Sequence, residues 1–402
     1  MALIVQKFGG SSVADPEKVR RVAGIIAESY NAGNDVVVVL SAQGKTTDKL
    51  IAMAKEYNPN PSKREMDMLL STGEQQSVAL CAMTLQAMGI PAVSLTGWQV
   101  DFKTNSNYSN AAIKSVGQER IRRELDAKRV VLVTGFQGVN KYDDITTLGR
   151  GGSDTSAVAI AAAMHADLCQ IYTDVDGVYT ADPNKVKGAK KLDEITFDEM
   201  LELASMGAKV LHNRSVEMAK RYNVDLEVLS SYERLPGTKV RGVNKLEQAE
   251  VSGVAKDVNV ARITLIGMQD IPGMAFRTFR CLAKENINVD IILQSLGRDG
   301  IQNITFTVAR ADADLACDVL EANIDELGFS GLDVDKHVAK VSIVGAGMML
   351  TSGIAAKMFD ALASRKINID MISTSEIKVS VLVNEEDADR AVQAVHDKFF
   401  GD

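Results

Sequence analysis

The chain has 402 residues, enough for roughly two to three domains. Its 45 Lys and Arg against 53 Asp and Glu give a net charge of −8 at pH 7, which argues against nucleic acid as a main partner because phosphate binding draws on positive charge. With 46% hydrophobic residues, 7 prolines, no apolar run near the roughly 20 residues of a membrane span and no signal-peptide pattern in MALIVQKFGG, a folded cytoplasmic protein with no membrane partner is expected.

In chain order, residues 2–8 (ALIVQKF) read as a buried strand. Asp15-Pro16 opens a helix, the Asp as N-cap acceptor and the Pro with its φ already fixed. Val19, Val22, Ala23 and Ile26 recur at helical spacing, and Gly33 is the stop. Residues 35–41 (DVVVVLS) are a second continuous apolar strand. Apolar strands joined by a helix imply a parallel sheet covered by helices. The pattern repeats as helix 73–88 with strand 91–95, helix 110–127 with strand 129–134, helix 154–165 with strand 168–173, and helix 209–222 with strand 224–229. Residues 231–250, with Pro236-Gly237 and Gly242, read as a linker.

The second half repeats itself. Residues 272–295 match 352–375 at an offset of 80, with ten identities in 24 positions, among them Gly273/Gly353, Asn288/Asn368, Asp290/Asp370 and Ser295/Ser375. Strands at 263–266 and 304–308 flank the first copy, and strands at 341–344 and 379–383 the second, so each reads βαββα. Copy one has a closing strand at 332–338. Copy two ends at its last helix, and the spare strand at 251–256 is expected to close it, nesting copy one inside copy two.

Three loops carry the chemistry. KFGGSS (7–12) ends the first strand, where adjacent glycines leave backbone N–H groups open to an anion and Lys7 adds a point charge. GRGGSD (149–154) precedes a helix whose expected N-cap is Ser153, with Arg150 offering a fork suited to a carboxylate. TDVDGVYTADP (173–183) sets Asp174, Asp176 and Asp182 in a short acidic loop without the spacing of a calcium loop. Plain turns with solvated charges would read the same way one at a time. Together they sit at the carboxyl ends of predicted parallel strands, where open α/β sheets bind ligands. Gly44-Lys45-Thr46 is no Walker loop, since Val39 stands where the first glycine belongs. The scattered Cys81, Cys169, Cys281 and Cys317 form neither a disulfide framework nor a zinc site with the four histidines, and no metal-ligating set is expected.

KFGGSS, STGE (71–74), GFQGV (135–139), TLGRGGSDTSA (147–157), TDVDGVYTADP and MGAKVLH (206–212), in this order, resemble the aspartate kinases of the amino-acid kinase superfamily, and the duplicated tail resembles their paired ACT domains. The resemblance implies an α/β fold with a mainly parallel sheet sandwiched by helices, plus two βαββαβ ferredoxin-like ACT domains. It divides the chain into a catalytic domain at 1–230, the linker, one ACT domain at 263–340 and a second from 251–262 with 341–402. The implied reaction moves the ATP γ-phosphoryl group, with Mg2+, to the side-chain carboxylate of L-aspartate, giving 4-phospho-L-aspartate for lysine, threonine and methionine biosynthesis. Lys7, Asp154 and Arg150 would be catalytic. Lys7, Phe8, Gly9, Gly10, Thr173, Asp174, Tyr179, Asp182, Asn184 and Lys209 would bind ATP. Ser41, Thr47, Glu74, Phe136, Arg150, Gly151, Gly152 and Ser153 would bind aspartate. The family's nucleotide loop often has Arg where this chain has Asn184.

The ACT resemblance implies a homodimer, open to pairing into tetramers, that binds lysine, threonine or both as inhibitors. Asp270, Gly273, Met274, Ala275, Asn288, Asp290 and Gln294 in copy one, and Ile354, Ala355, Asn368, Ile369, Ser375 and Glu376 in copy two, match the effector loops. Two alternatives stay open: a kinase of another acidic amino acid such as glutamate, and a catalytically inactive amino-acid sensor. Lys7→Ala and Arg150→Ala are each expected to lose most activity while keeping the melting temperature.

Overall fold

The computed structural model describes residues 2–205, 210–242, 250–295 and 300–401. They divide into one unit of Met1–Tyr179 with Lys191–Leu246 and another of Thr180–Lys190 with Glu247–Asp402.

The strands of the first unit are β1 (Leu3–Phe8), β2 (Asp35–Leu40), β3 (Ala92–Leu95), β4 (Lys103–Thr104), β5 (Ile113–Ser115), β6 (Val130–Thr134), β7 (Gln137–Val139), β8 (Ile145–Thr147), β9 (Leu168–Thr173), β10 (Glu194–Thr196), β11 (Leu226–Ser230) and β12 (Thr238–Arg241). Its helices are α1 (Pro16–Asn31), α2 (Thr46–Tyr57), α3 (Lys63–Leu70), α4 (Thr72–Ala87), α5 (Glu119–Asp126), α6 (Gly152–Met164), α7 (Phe197–Ser205) and α8 (Asn213–Tyr222). Eight strands form one sheet in the order β10-β12-β11-β9-β1-β2-β6-β3. β1 pairs in parallel with both β2 and β9, which puts it at the centre. The pleat sends Val36, Val38 and Leu40 into one core with Val22 and Ile26 of α1 and Val78, Cys81 and Leu85 of α4. The start of α1 follows from its sequence: Asp15 Oδ1 accepts from the Lys18 N–H at 3.0 Å, and Pro16 needs no partner for a missing donor.

Three expectations need correction here. The helix over 110–127 is only α5, because residues 113–115 form an edge strand of a separate small sheet, β5-β4-β7-β8. GRGGSD therefore follows β8 of that sheet, not a strand of the main one. The segment 231–250 contains β12, which pairs with β11 and β10 inside the large sheet, so it is not a linker over that stretch. Residues 243–249 lie outside the described ones, as do 206–209, where the helix over 209–222 was expected to begin; α8 runs over Asn213–Tyr222.

The second unit has β13 (Gly253–Asp257), β14 (Ala261–Gln269), β15 (Val289–Gln294), β16 (Ile301–Val308), β17 (Gly331–Asp335), β18 (Val338–Val344), β19 (Met371–Thr374) and β20 (Lys378–Asn384), with helices α9 (Met274–Lys284), α10 (Ala313–Ala322), α11 (Ile324–Leu327), α12 (Ile354–Ser364) and α13 (Ala388–Phe400). They make two four-stranded sheets, β15-β16-β14-β17 and β19-β20-β18-β13. Strand for strand the sheets are equivalent, and the 80-residue offset extends to the backbone: Gly273 and Gly353 cap α9 and α12 at φ +94 and +88. The difference lies in the last strand. β17 follows copy one in sequence, whereas the strand beside β18 is β13, from upstream of copy one.

The segment Thr180–Lys190 belongs to this unit, not to the catalytic half. Ala181 and Val186 are buried in the copy-two core with Val254, Val341 and Val395. Thr180 accepts from the Val254 N–H at 2.7 Å, and its hydroxyl lies 2.9 Å from Nε2 of His396.

Candidate active site

The site is built around the end of β1. Lys7 lies on the central strand, level with Val39 and Ile171, so its stem is enclosed by neighbours on both sides. Its ammonium pairs with Asp154 Oδ1 at 2.5 Å, and the two side chains are only 11% and 14% exposed. This contact joins the KFGGSS loop to the first turn of α6. A buried ion pair is worth little as stabilisation, but it fixes a cation where the glycine loops converge.

α6 begins two residues earlier than the sequence suggests. Gly152 is its first residue and Gly151 the cap, at φ +66 with no side-chain cap, so Ser153 lies inside the helix. The Gly152 N–H donates to the Gly149 carbonyl at 3.1 Å, and the next two amides, of Ser153 and Asp154, keep their N–H groups unspent among the described residues at the positive end of the helix. Gly151 is required twice over. Its φ lies in the left-handed region, and a Cβ would fall 2.2 Å from the His212 ring. Arg150, just before it, is exposed and has no hydrogen bond or ion pair among the described residues.

The second wall comes from the turn after β2. The Gly44 N–H donates to the Gly10 carbonyl at 2.9 Å, and a Cβ on Gly10 would lie 2.5 Å from the Ala42 carbonyl oxygen. Only a bare backbone lets these loops nest. The Ala42 N–H donates to Glu74 Oε1 at 3.1 Å. Glu74 is 3% exposed, and its other oxygen, Oε2, is buried without a partner among the described residues. Burial pushes this carboxyl up to about 7, against the smaller lowering effect of the amides around it. Phe136 closes the set at φ +70, its N–H on Ser156 Oγ at 3.0 Å and its ring where a Cβ on Gly152 would stand.

The expected nucleotide residues divide. Phe8 is fully buried and stacks on Tyr172 at 4.5 Å, so only its backbone can face a ligand. Thr173 and the exposed Asp174 sit at the end of β9, bonded to each other at 3.1 Å. The Tyr179 hydroxyl donates to Asp176 at 2.8 Å, and Lys191 reaches the same carboxylate at 3.1 Å. Burial raises the Asp176 pKa, but these two partners outweigh it and hold the group low. Asp182 and Asn184 lie in the second unit, bonded to one another, and Lys209 is outside the described residues. Sequence reading missed Lys191 and Ser231, which no local pattern marks; Ser231 accepts from the buried Ser12 hydroxyl at 2.8 Å. His212 closes the MGAKVLH motif, but the motif did not tell that its ring stands against Gly151.

In the second unit, Met274 and Ile354 are buried in the two cores, which leaves only their backbones for an effector. Asp290 is already engaged by Lys340 of β18. Its counterpart Asp370 accepts from Asn368 instead, so the copies differ at this position.

Residues 2–230 match the amino acid kinase family, and residues 263–324 with 341–399 match the ACT domain. The chain is 51% identical over 405 residues to an aspartokinase of Mycolicibacterium smegmatis, covering 99% of this chain and 96% of that one. It is similar to the crystal structure of E. coli aspartokinase III in complex with aspartate and ADP (R-state), at 27% identity and TM-score 0.79 over 99% of this chain and 100% of that one. The same enzyme in complex with lysine and aspartate (T-state) matches at 28% identity and TM-score 0.77, over 99% of each chain.

Proposed function

The chain belongs to the aspartokinases of the amino acid kinase family, which phosphorylate the side-chain carboxylate of L-aspartate to give 4-phospho-L-aspartate for amino-acid biosynthesis, and from that premise we propose how its own residues divide the work. The acceptor carboxylate is already an anionic nucleophile at neutral pH, so no strong base is needed. What must be overcome is the approach of two anions, which makes catalysis a matter of position and charge neutralisation.

Lys7 meets the transferring phosphoryl group, held by Asp154. The amides of Gly9, Gly10 and the first turn of α6 donate to phosphate oxygens. Glu74 Oε2 accepts the α-ammonium of aspartate, and Arg150 clamps the α-carboxylate with its fork. Ser41, Thr47 and Ser153 add hydrogen bonds, while Phe136, Gly151 and Gly152 shape the pocket. Thr173, Asp174 and Tyr179 line the nucleotide side, and the family resemblance assigns Asp182, Asn184 and Lys209 to the nucleotide as well. Among the described residues no group of three or more His, Cys, Asp or Glu could hold a metal ion. Mg2+ bound with the nucleotide would supply charge neutralisation at its phosphates.

The Lys7–Asp154 pair carries this reading, because it puts the one buried cation of the glycine loops at the start of α6. Initial rates of ADP release with aspartate, glutamate and N-acetylglutamate test it. Turnover is expected with aspartate alone, and Lys7→Met should abolish it. Normal turnover by Lys7→Met would overturn the assignment.

The ACT unit reads lysine, threonine or both as inhibitors, through a homodimer in the cytoplasm. Support comes from the lysine-bound T-state of the E. coli relative and from the absence, among the described residues, of a helix long and apolar enough to cross a membrane. Rates measured with each amino acid and with both, and sedimentation in the same buffers, test these points. Full activity in saturating lysine plus threonine would refute the sensor role.

A further inference from the structure

The two groups assigned to grip aspartate come from distant parts of the chain, Glu74 on α4 and Arg150 after β8, and something must set the distance between them. Seven residues before Glu74, on α3, stands Asp67, which is fully buried and appears in none of the loops singled out above. Its carboxylate is taken up entirely by the other segment. It accepts from the Thr147 N–H and hydroxyl, both at 2.8 Å, from the Ser109 N–H at 2.9 and 3.1 Å, and from the Ser109 hydroxyl at 3.3 Å. Thr147 is three residues before Arg150. Ser109 is held at φ +68, a backbone state that a non-glycine residue adopts only when its surroundings enforce it.

From the opposite side Arg214 grips the next residue. Its guanidinium donates to the Leu148 carbonyl at 2.9 Å and to the Ala111 carbonyl at 2.7 Å. The Ala111 N–H in turn donates to the Thr147 carbonyl at 2.8 Å. A buried anion thus takes the donors of residues 109 and 147, and a guanidinium takes the acceptors of residues 111 and 148. The glycine turn starts immediately afterwards at Gly149, where a Cβ would meet the Ser109 carbonyl at 3.1 Å. A third tie, from Gln137 Nε2 to the Ser71 carbonyl at 2.9 Å, fastens β7 to the junction of α3 and α4.

We propose that Asp67 and Arg214 are positioning residues for aspartate recognition: Asp67 fastens the strand before Arg150 to the helix that leads into Glu74, Arg214 holds the same strand end from α8, and together they set the span between the carboxylate clamp and the ammonium acceptor. This rests on the roles assigned above to Arg150 and Glu74. Neither residue touches substrate. Their loss misplaces Arg150 relative to Glu74 and leaves the nucleotide side alone, so it weakens aspartate binding selectively. A misplacement of about an ångström costs on the order of a hundredfold at a reacting centre and less at a binding clamp.

The test is steady-state kinetics on the full-length enzyme with both substrates varied, beside thermal unfolding. Asp67→Asn turns an acceptor into a donor facing the Thr147 or Ser109 amide. It should raise the KM for aspartate about tenfold or more, with the KM for ATP within about twofold. Thr147→Val removes one hydroxyl donor at nearly constant shape, and Arg214→Lys cannot reach two carbonyls at once. Both should raise the aspartate KM by about threefold or more at near-normal melting temperature, and they decide the matter if Asp67→Asn does not fold. In the background of Arg150→Ala, adding Thr147→Val should change the aspartate KM no further, because both act through one group. Equal rises in both KM values, or additive effects with Arg150→Ala, would overturn the proposal while leaving Arg150 in place. An unchanged aspartate KM in Arg150→Ala itself would instead remove the clamp and the proposal together.

Discussion

Glu74→Gln removes a carboxyl that burial has pushed from an ordinary 4.5 to about 7. At about 1.4 kcal/mol for each pH unit, that gap is worth about 3 kcal/mol. Its sign follows from linkage. The folded value lies above the unfolded one, so the group's contribution to stability is fully present below pH 4.5 and lost as the pH rises to about 7. Above that, the wild type carries an ionised oxygen with no partner, and the Gln variant does not. The variant should therefore melt several degrees higher than the wild type at pH 8, with the difference nearly gone at pH 4.5 to 5. Function should move the other way. The α-ammonium of aspartate would satisfy Oε2, a charge-assisted bond worth about 1.5–3 kcal/mol, so the variant's aspartate KM should rise about 10- to 150-fold. In the wild type the same KM should rise as pH falls below about 7, because the carboxyl must ionise to bind the ammonium. Circular-dichroism melts at both pH values and ADP-release rates give the two readouts. A melting difference that is equal at pH 5 and pH 8, or an aspartate KM within about threefold of wild type, would refute the reasoning.

Lys7→Ala and Arg150→Ala should both lose activity but separate in stability, contrary to the sequence expectation. Removing Lys7 leaves a nearly buried Asp154 uncompensated, a cost of about 3–5 kcal/mol visible in a denaturant melt. Arg150 is exposed and unpartnered among the described residues, so its loss should leave the melt in place. Combining Lys7→Met with Asp154→Asn should recover most of the lost stability with no recovery of turnover. Gly151→Ala places a methyl inside the His212 ring at a positive φ; it should destabilise by about 1–3 kcal/mol and lower kcat/KM, and His212→Ala in the same chain should relieve part of the stability loss. Burial holds the His396 imidazole below its usual range, so the neutral ring's contribution is present above the unfolded pKa and lost as pH falls through the folded one. His396→Gln should flatten the acid side of the melting profile, and an unchanged profile would contradict the burial argument.

The features legible in the sequence were those written locally. The Asp15-Pro16 helix start, the uninterrupted valines of β2 and the 80-residue repeat each rest on spacing that needs no tertiary contact to read. The family resemblance then rested on loops whose glycines are needed for close approach, as Gly10 against Ala42 and Gly151 against His212 illustrate. What escaped was set at long range. Strands β4, β5, β7 and β8 have two or three residues each, too few for a periodic signal. α2 buries no residue completely, so its apolar face gave no clear stripe. Ala181, Val186 and Ala189 are scattered apolar residues in a polar stretch, and only the copy-two core shows why Thr180–Lys190 joins the second unit. Ser153 looked like a cap because it is the right residue type, but glycine in the left-handed state already closes that turn. Asp67 and Lys191 carried no pattern at all; Asp67 matters through residues up to 80 positions away and Lys191 through one 15 away.

The nesting of one ACT copy inside the other imposes an order on synthesis. As the chain leaves the ribosome, β13 emerges before any other strand of its sheet. The stretch from β14 to β17 then appears in one piece and can settle by itself. Only when β18 to β20 follow can the waiting strand find its neighbour in the sheet, so the first-made strand of this unit is among the last to be paired. Until then it is an open edge that invites mispairing. A ribosome stalled between β17 and β18 would therefore leave a finished first module attached to an orphan strand, and nascent chains of that length are the ones most in need of a holding chaperone.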